Sequence, residues 1–386
     1  MTRPAIPRTV WALGLVSLFM DLSSEIVHGL LPSFLTVGLG ASVATVGLID
    51  GVAEATASIS KIFSGWLSDR IGRRKPLILL GYGLAALTKP LFPLAGSAAT
   101  VLGARFADRI GKGLRGAPRD ALIADVTPAH LRGRAFGLRQ AMDTAGAFAG
   151  PLLAVGLMLL LAGDMRAVFW FATVPAALAV ICVLAGVEDA PAAPGAPRVP
   201  IRFADLRSLG RPFWAVTGIG MVFTLARFSE AFLILRASGE GLGLALAPLV
   251  LVAMNGVYAL GAYPAGALAD RMPARTLLLW GLAILIAADA CLAAGGLAWA
   301  FAGILLWGAH MALTQGLLAK LVADCAPDRL RGSAFGLFNL ASGVAMLAAS
   351  VLAGLLWDEV GPAATFLAGG GFAALALLLV LVRRRA

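Results

Sequence analysis

The sequence predicts an all-α polytopic membrane protein in which twelve transmembrane helices form two six-helix bundles. Three observations predict this fold class. Hydrophobic residues make up 60% of the 386 residues and charged residues only 13%, whereas a soluble domain has about 25% charged residues. The apolar residues recur in runs of about 20, the length of a helix that crosses a bilayer. Two polar motifs of the first half also return in the second half.

Twelve apolar segments are predicted to be transmembrane helices, here called spans 1 to 12. The six of the first half lie at approximately 10–37, 44–67, 76–96, 98–124, 134–161 and 166–187. The six of the second half lie at approximately 212–236, 243–268, 275–297, 298–323, 333–356 and 361–382. Residues 188–211 are rich in Pro and Ala and predict an extended cytoplasmic linker. We therefore expect an N-terminal bundle at 1–187 and a C-terminal bundle at 212–386.

The distribution of basic residues indicates which side of the membrane is cytoplasmic. The two ends of the chain and the even-numbered connections carry most of the Lys and Arg, whereas the odd-numbered connections hold only Arg166 and Arg236. The positive-inside rule then places both termini in the cytoplasm. It also accounts for the net charge of +10 without a nucleic-acid partner. The short loops favour a bacterial inner membrane, with the lipid bilayer as surroundings and the chain as a monomer.

The two halves repeat each other. Residues 65–70, GWLSDR, match residues 266–271, GALADR, and residues 131–138, LRGRAFGL, match residues 330–337, LRGSAFGL. Both pairs are about 200 residues apart and occur in the same order, as in parallel repeats related by an axis along the membrane normal. The repeat predicts two bundles of the same topology.

Span 4 is unusually charged. Residues at steps of three or four form one helical stripe, which contains Arg105, Asp108, Arg109, Lys112, Arg115 and Arg119. Each such charge costs about 2.5–3.5 kcal/mol at a bilayer centre. The stripe must therefore face other helices or a water-filled cavity. A role in a solute pathway and a purely structural ladder of ion pairs are both compatible with it, and we favour the pathway.

Acidic residues inside the spans nearly balance the basic ones, which favours mutual pairing. Span 1 places Asp21, Glu25 and His28 on one face, and acids in apolar surroundings hold protons more readily. Two interpretations stay open: these acids carry protons, or they only neutralise the span 4 arginines. The candidate residues for proton coupling and for a cavity are Asp21, Glu25, Asp50, Glu54, Arg105, Arg109, Asp143, Arg227 and Glu230.

Enzyme functions are excluded by context. Residues 111–116, GKGLRG, match the dinucleotide pattern G-x-G-x-x-G, but they follow no strand and lie in an apolar span. No P-loop pattern is present, so ATP does not drive the protein directly. The three histidines show no metal-ligand spacing. We expect no catalytic residues, no cofactor and no metal.

The loop between spans 2 and 3 resembles the cytoplasmic signature loop of the major facilitator superfamily. The resemblance is carried by Gly65, Asp69, Arg70, Gly72 and Arg73, with a reduced second copy at Asp270 and Arg271. It implies a gating latch on the cytoplasmic side. In that latch Asp69 would meet the start of span 11, near 331–333, and Arg73 would pair with Asp125.

Span 5 contains Gly146, Gly150 and Pro151, which resemble a helix-packing motif of the superfamily's proton-coupled drug and metabolite antiporters. The resemblance implies a secondary transporter that works by alternating access and couples proton movement to efflux of a small organic molecule. Two alternatives stay open. One is a proton-coupled importer of an organic anion, favoured by the basic stripe, and the other is a lipid-translocating protein.

Overall fold

A computed structural model describes residues 6–189, 209–325 and 331–382. Some side chains within these ranges, including those of Asp69 and Asp270, are not described. The described residues form α-helices joined by short turns, and they contain no strand. This agrees with the all-α fold class expected from the sequence.

The first half of the chain contains nine helices among its described residues. They are α1 (Arg8–His28), α2 (Leu31–Ser33), α3 (Val43–Ile71), α4 (Lys75–Thr88), α5 (Leu91–Leu94), α6 (Ala98–Val126), α7 (Arg132–Leu160), α8 (Met165–Phe171) and α9 (Thr173–Gly186). A π-helix at Phe34–Gly38 continues α2, and a 3₁₀ turn at Ala129–Leu131 precedes α7.

The second half contains seven helices among its described residues. They are α10 (Arg211–Leu225), α11 (Ala231–Gly239), α12 (Leu249–Arg271), α13 (Ala274–Ala294), α14 (Leu297–Cys325), α15 (Arg331–Glu359) and α16 (Pro362–Val382). A 3₁₀ turn at Leu244–Leu246 precedes α12. Together the helices follow the twelve predicted spans in order, because spans 1, 3, 6 and 7 each consist of two successive helices.

Ten segments of the described chain are long and apolar enough to cross a membrane by length and composition. The two spans outside this group are span 4 and span 7. Span 4 is the continuous helix α6, whose charged residues lower its hydropathy. Span 7 is divided at Ala226–Glu230 into α10 and α11, neither of which is long enough alone. Both spans are therefore unusual in the polar groups they bring into the membrane.

One compact unit consists of residues 1–31 and 56–199. Its apolar core joins α1, α4 and α9 through residues such as Leu13, Ile78 and Ala179. Helix α6 packs closely on α4, since a methyl group on Gly81 would lie 2.6 Å from the carbonyl oxygen of Gly111. The glycines of the G-x-G-x-x-G pattern therefore serve helix packing within a membrane span.

The other compact unit consists of residues 32–55 and 200–386. The sequence placed residues 32–55 with the N-terminal bundle, whereas their contacts group them with the C-terminal part of the chain. Close packing explains the difference. Gly51 of α3 packs against Leu347 of α15, and a methyl group on Gly354 of α15 would lie 2.6 Å from Cα of Ala44. Small residues permit this approach of the two backbones.

The interior of this second unit is aromatic. Phe228 lies 5.3 Å from Phe232, 5.6 Å from Trp307 and 5.6 Å from Phe366, measured between ring centroids. Trp357 extends the cluster at 6.1 Å from Phe366. Tilted and edge-on ring pairs at these distances are favourable beyond the area they bury. The cluster surrounds the division of span 7.

Candidate functional site

The charged stripe of α6 lies inside the N-terminal unit. Arg105 and Asp108 are each 3% exposed, and Arg109 and Arg115 are also buried. Phe106, on another face of the same helix, is exposed. This agrees with the expectation that the charges face protein, since a lipid-facing stripe would leave several charges in hydrocarbon.

The deepest ion pair joins α6 to the division of span 3. Nζ of Lys89 lies 3.1 Å from Oδ1 of Asp108, and both side chains are almost fully buried. Lys89 also donates to Oγ of Ser24 in α1 at 3.1 Å. Nε of Arg109 lies 3.9 Å from the other oxygen of Asp108. Two cations therefore compensate Asp108, as a buried carboxylate requires.

Lys89 was not among the predicted site residues. It directly precedes Pro90, between α4 and α5. Proline has no backbone N–H and fixes φ, so it interrupts the hydrogen bonding of a helix. A lysine beside a proline inside an apolar run was the sequence signal that could have identified it. Asp108 was recognised as a charge of span 4, but its partner was not.

A second cluster joins α1, α6 and α7. The carboxyl groups of Asp21 and Asp143 lie close enough to each other for their charges to interact. Nη2 of Arg139 lies 3.3 Å and Nη1 of Arg119 4.0 Å from Oδ1 of Asp143. Two neighbouring carboxylates repel each other, which favours the protonated form of one of them. The structure therefore brings together two acids that the sequence had proposed separately, in an arrangement suited to holding one proton.

Arg119 is fixed in place by several acceptors. Its Nη1 donates to Oγ of Ser17 at 3.0 Å and to the hydroxyl of Tyr82 at 3.3 Å. Its Nε donates to Oδ1 of Asp120 at 3.1 Å. The guanidinium carbon of Arg115 lies 4.6 Å from the centroid of the Tyr82 ring. These contacts orient the cations around Asp21 and Asp143, and the sequence did not predict Ser17 or Tyr82.

Glu25 lies one turn beyond Asp21 on α1. Its Oε2 is 3.4 Å from Nδ1 of His28, as the shared face in span 1 predicted. Both Asp21 and Glu25 lie near enough to Lys112 for their charges to interact. Lys112 is exposed on α6. A lysine with an exposed side chain at this depth indicates contact with a water-filled space.

The glycines of span 5 bring α7 against α1. Gly146 contacts the carbonyl oxygen of Leu18, and a methyl group on Gly150 would lie 2.6 Å from Cβ of Glu25. Helix α7 continues through Pro151. Gly146 and Gly150 thus let α7 approach α1 closely, and this packing holds Asp143 of α7 beside Asp21 of α1.

The predicted pairing of Arg73 with Asp125 is wrong. Nε of Arg74 lies 3.3 Å from Oδ2 of Asp125, whereas Nε of Arg73 lies 3.6 Å from Oδ2 of Asp189. Gly72 has a φ of +73°, and this turn leaves Arg73 74% exposed and Arg74 19% exposed. The more buried arginine thus reaches the end of α6.

Asp189 has a further role in the signature loop. Its Oδ1 accepts hydrogen bonds from the backbone N–H groups of Arg74 and Lys75 at 2.8 and 2.7 Å. It therefore caps the start of α4, where the helix dipole favours a negative charge. Arg74 also donates to Oγ of Ser68 at 2.7 Å. The start of the linker is thus tied to this loop.

The remaining residues of the predicted latch are Gly65, Asp69, Arg70, Asp270 and Arg271. The side chains of Asp69 and Asp270, and those of residues 331–333, lie outside the described side chains, so the contact proposed for Asp69 stays a prediction. A methyl group on Gly65 would lie 3.5 Å from Cβ of Ala117, which is an ordinary van der Waals distance. Arg70 and Arg271 are exposed in the last turns of α3 and α12.

The remaining candidates belong to the second unit. Oγ of Ser229 donates to Oδ2 of the buried Asp50 at 2.7 Å. The guanidinium of Arg227 lies 5.9 Å from the Phe223 ring centroid, and Glu230 begins α11. Glu54 lies one turn beyond Asp50 on α3. Asp50, Glu54, Arg227 and Glu230 thus do not share a compact unit with Asp21 and Asp143.

Comparison with known proteins identifies the family. The family model for the Major Facilitator Superfamily matches residues 13–254 and 234–386. The chain belongs to the major facilitator superfamily. An MFS-type transporter of Methanocaldococcus jannaschii, itself uncharacterised, is 31% identical over 386 residues, covering 97% of this chain and 95% of that protein.

Two other similar proteins are informative. The multidrug resistance protein MdtH of Photorhabdus laumondii is 32% identical over 142 residues, covering 37% of this chain and 35% of that protein. A crystal structure of a POT family transporter with a thioalcohol-conjugated peptide has a TM-score of 0.82 at 15% identity, covering 98% of both chains. The latter likeness shows the superfamily fold. The protein is thus a multi-pass membrane transporter of small molecules and not an enzyme.

Proposed function

We propose that this transporter couples the export of a small organic molecule to the entry of protons, with Asp21 and Asp143 as the proton-carrying pair. The observation that carries the proposal is the proximity of the two carboxyl groups. A proton on the pair would remove one negative charge. When the proton leaves, two adjacent carboxylates repel each other. Arg119 and Arg139 both contact Asp143, but Arg119 is shared with Asp120.

A solute and a proton would compete for this pair. A cationic or hydrogen-bond-donating group of the solute takes the position of the proton between the carboxylates. The exposed Lys112, near Asp21 and Glu25, offers a complementary contact for an anionic group. A small zwitterionic molecule fits both contacts. The solute leaves when the proton returns. The transporter therefore binds the solute in one half of its cycle and the proton in the other half.

The direction of transport rests on two similarities. The glycine and proline motif of span 5 resembles that of proton-coupled antiporters, and MdtH, which matches about a third of this chain, carries the name multidrug resistance protein. Both favour efflux. A proton-coupled importer of an organic anion is the second candidate, because the buried Arg105, Arg109 and Arg115 provide an excess of positive charge on α6.

We also propose that both termini lie in the cytoplasm of a bacterial cell, with the chain as a monomer. The distribution of Lys and Arg supports the topology. In this arrangement, the loop between α3 and α4 with its Arg74–Asp125 and Arg73–Asp189 pairs lies on the cytoplasmic side. There it would act as the gating latch of the N-terminal unit. Reporter fusions to the two ends test the orientation.

The test measures internal pH in proteoliposomes that hold the purified protein under an imposed proton gradient. A panel of cationic, zwitterionic and anionic solutes is added in turn. We expect a pH change with zwitterionic solutes, and its sign separates antiport from symport. Silence across the panel would contradict proton coupling and would turn attention to lipids as the substrate.

Two substitutions test whether Asp21 and Asp143 form the proton-carrying pair. Asp143→Asn and Asp21→Asn are each expected to reduce solute-dependent proton movement at least tenfold, because an amide cannot release a proton. Glu359→Gln is the matched control, since Glu359 is an exposed acid at the end of α15. Wild-type coupling in both Asp variants would remove the pair from the mechanism even if the protein transports.

A further inference from the structure

Asp289 is a buried acid that no part of the mechanism above uses. It lies in α13 and is 1% exposed. Among the residues that the structure describes, neither of its carboxyl oxygens has a hydrogen-bond partner. By contrast, the buried Asp50 accepts a hydrogen bond from Ser229. The location of Asp289 therefore requires a separate explanation.

The carboxyl group of Asp289 lies in a niche beside two glycine residues of α16, which leave room for it because they have no side chains. A methyl group on Gly369 of α16 would lie 3.1 Å from Oδ2 of Asp289, and one on Gly370 would lie 3.5 Å from its Cβ. The same added methyl on Gly369 would lie 3.5 Å from the carbonyl oxygen of Ala226 and 2.9 Å from Cε1 of Phe228. Asp289 therefore faces the point where span 7 is divided.

The groups around the niche offer no compensating charge. Helix α16 contains no titratable residue. On α14, Nδ1 of His310 contacts the carbonyl oxygen of Gly281, two turns before Asp289 on α13. In the division of span 7, Arg227 lies over the Phe223 ring, and its charge interacts with Glu230 and Tyr258. No ion pair with Asp289 occurs among the described residues.

An isolated carboxylate in an apolar interior is strongly disfavoured, so such a group exists as the neutral acid. The neutral acid has an O–H donor, and the Ala226 carbonyl terminates α10, where helix carbonyls lack an intrahelical donor. A sodium ion would need several oxygen ligands around it. The niche instead presents glycine backbone and the Phe228 ring, so its chemistry fits a proton.

We propose that Asp289 is a second proton-carrying site, which belongs to the C-terminal unit and exchanges its proton during the transport cycle. The division of span 7 supplies the means of exchange. A change at Ala226–Glu230 would move the Ala226 carbonyl, which borders the niche, and would admit water to the Asp289 carboxyl group. This inference rests on the proposed proton coupling, and it predicts a higher proton-to-solute ratio than the Asp21–Asp143 pair alone provides.

The first measurement needs no solute. Infrared spectra of the purified wild-type protein in lipid, recorded in H₂O and D₂O, should contain the band of a protonated carboxylic acid that Asp289→Asn removes. Asp143→Asn and the surface control Glu359→Gln should retain it. Persistence of every such band in Asp289→Asn would overturn the proposal, as would loss of the band on addition of sodium chloride at constant pH. Should Asp289→Asn fail to fold, Asp289→Ser takes its place.

The second measurement separates exchange from a fixed structural proton. The proton-to-solute ratio is obtained from the membrane potential at which flux reverses, with the panel solute that moves protons in the wild type. We expect the ratio to fall by about one in Asp289→Asn while solute transport continues. An unchanged ratio overturns the proposal and leaves Asp289 structural. If no panel solute moves protons, the proposed coupling fails, and the proposal that Asp289 exchanges its proton in the transport cycle fails with it; the infrared spectra then report only whether Asp289 holds a proton.

Discussion

The two units of this transporter stabilise their interiors in opposite ways. The N-terminal unit buries a network of charges in which Lys89, Asp108 and Arg109 compensate one another. The second unit buries an aromatic cluster around Phe228 and the acid Asp289, whose carboxyl oxygens have no hydrogen-bond partner among the described residues. Paired charges hold fixed positions, whereas the protonation of an uncompensated acid depends on the groups and the water around it. The comparison indicates that the same topology supports two kinds of polar site.

The largest expected effect comes from breaking the charge network. Lys89→Met leaves Asp108 buried without its closest cation and should lower the free energy of unfolding by about 3–5 kcal/mol. The measurement is thermal unfolding of the purified protein in detergent. The double variant Lys89→Met with Asp108→Asn removes both charges and should recover most of the loss. A double variant no more stable than Lys89→Met would contradict a paired-charge interior.

The second unit should respond to packing instead. Gly47→Ala places a methyl group against the carbonyl oxygen of Ser350, and overpacking of this kind costs about 1–3 kcal/mol. Gly218→Ala in α10 is the matched control, because an added methyl there meets no atom within 4 Å. We expect the control to be neutral or slightly stabilised in thermal unfolding. Equal stability of the two variants would argue against the close contact of α3 with α15.

A remote carboxylate caps the start of α3 in the same unit. Asp358 accepts hydrogen bonds from the backbone N–H groups of Val43 and Ala44 at 3.2 and 2.8 Å. Asp358→Ala should cost about 1 kcal/mol, the usual size of a lost helix cap. The neighbouring Glu359→Ala serves as the control in the same unfolding measurement. A larger loss in the control would move the capping role to Glu359.

The smallest effect is expected at the exposed pair of the signature loop. Arg73→Gln removes a surface ion pair and should change stability by no more than about 1 kcal/mol. Arg74→Gln should cost more, because the less exposed Arg74 contacts both Asp125 and Ser68. Thermal unfolding of the two variants side by side gives the ranking. The reverse order would restore Arg73 as the arginine that anchors α6.

Much of the fold followed from local sequence properties. Apolar length and the repeated motifs predicted the twelve spans, since a helix in lipid must satisfy its own backbone. The cost of unpaired charge in hydrocarbon predicted that the α6 stripe would be buried. Of the site, Asp21 and Asp143 were named as candidates, but they are far apart in the chain and become neighbours only in the folded protein. No periodicity within one helix contains that information.

Other features could not be predicted for the same reason. Arg73 and Arg74 are adjacent and chemically identical, so only the turn at Gly72 decides which of them reaches Asp125. Residues 32–55 were expected in the first bundle from their position in the chain, and the close packing of Gly51 and Ala44 on α15 was not foreseen. Lys89 and Asp289 look alike in sequence as single charges in apolar runs, but one has a buried partner and the other has none.

The sequence by itself determined the fold class, the family and the number of charges that the membrane interior must accommodate. These properties depend on composition, on hydropathy summed over about 20 residues and on motifs short enough to be read within one loop. Only the tertiary structure decided which acids lie beside each other, and which buried acid lacks a partner among the described residues. Electrostatic energies depend steeply on distance and burial, and both arise only when separate helices pack together.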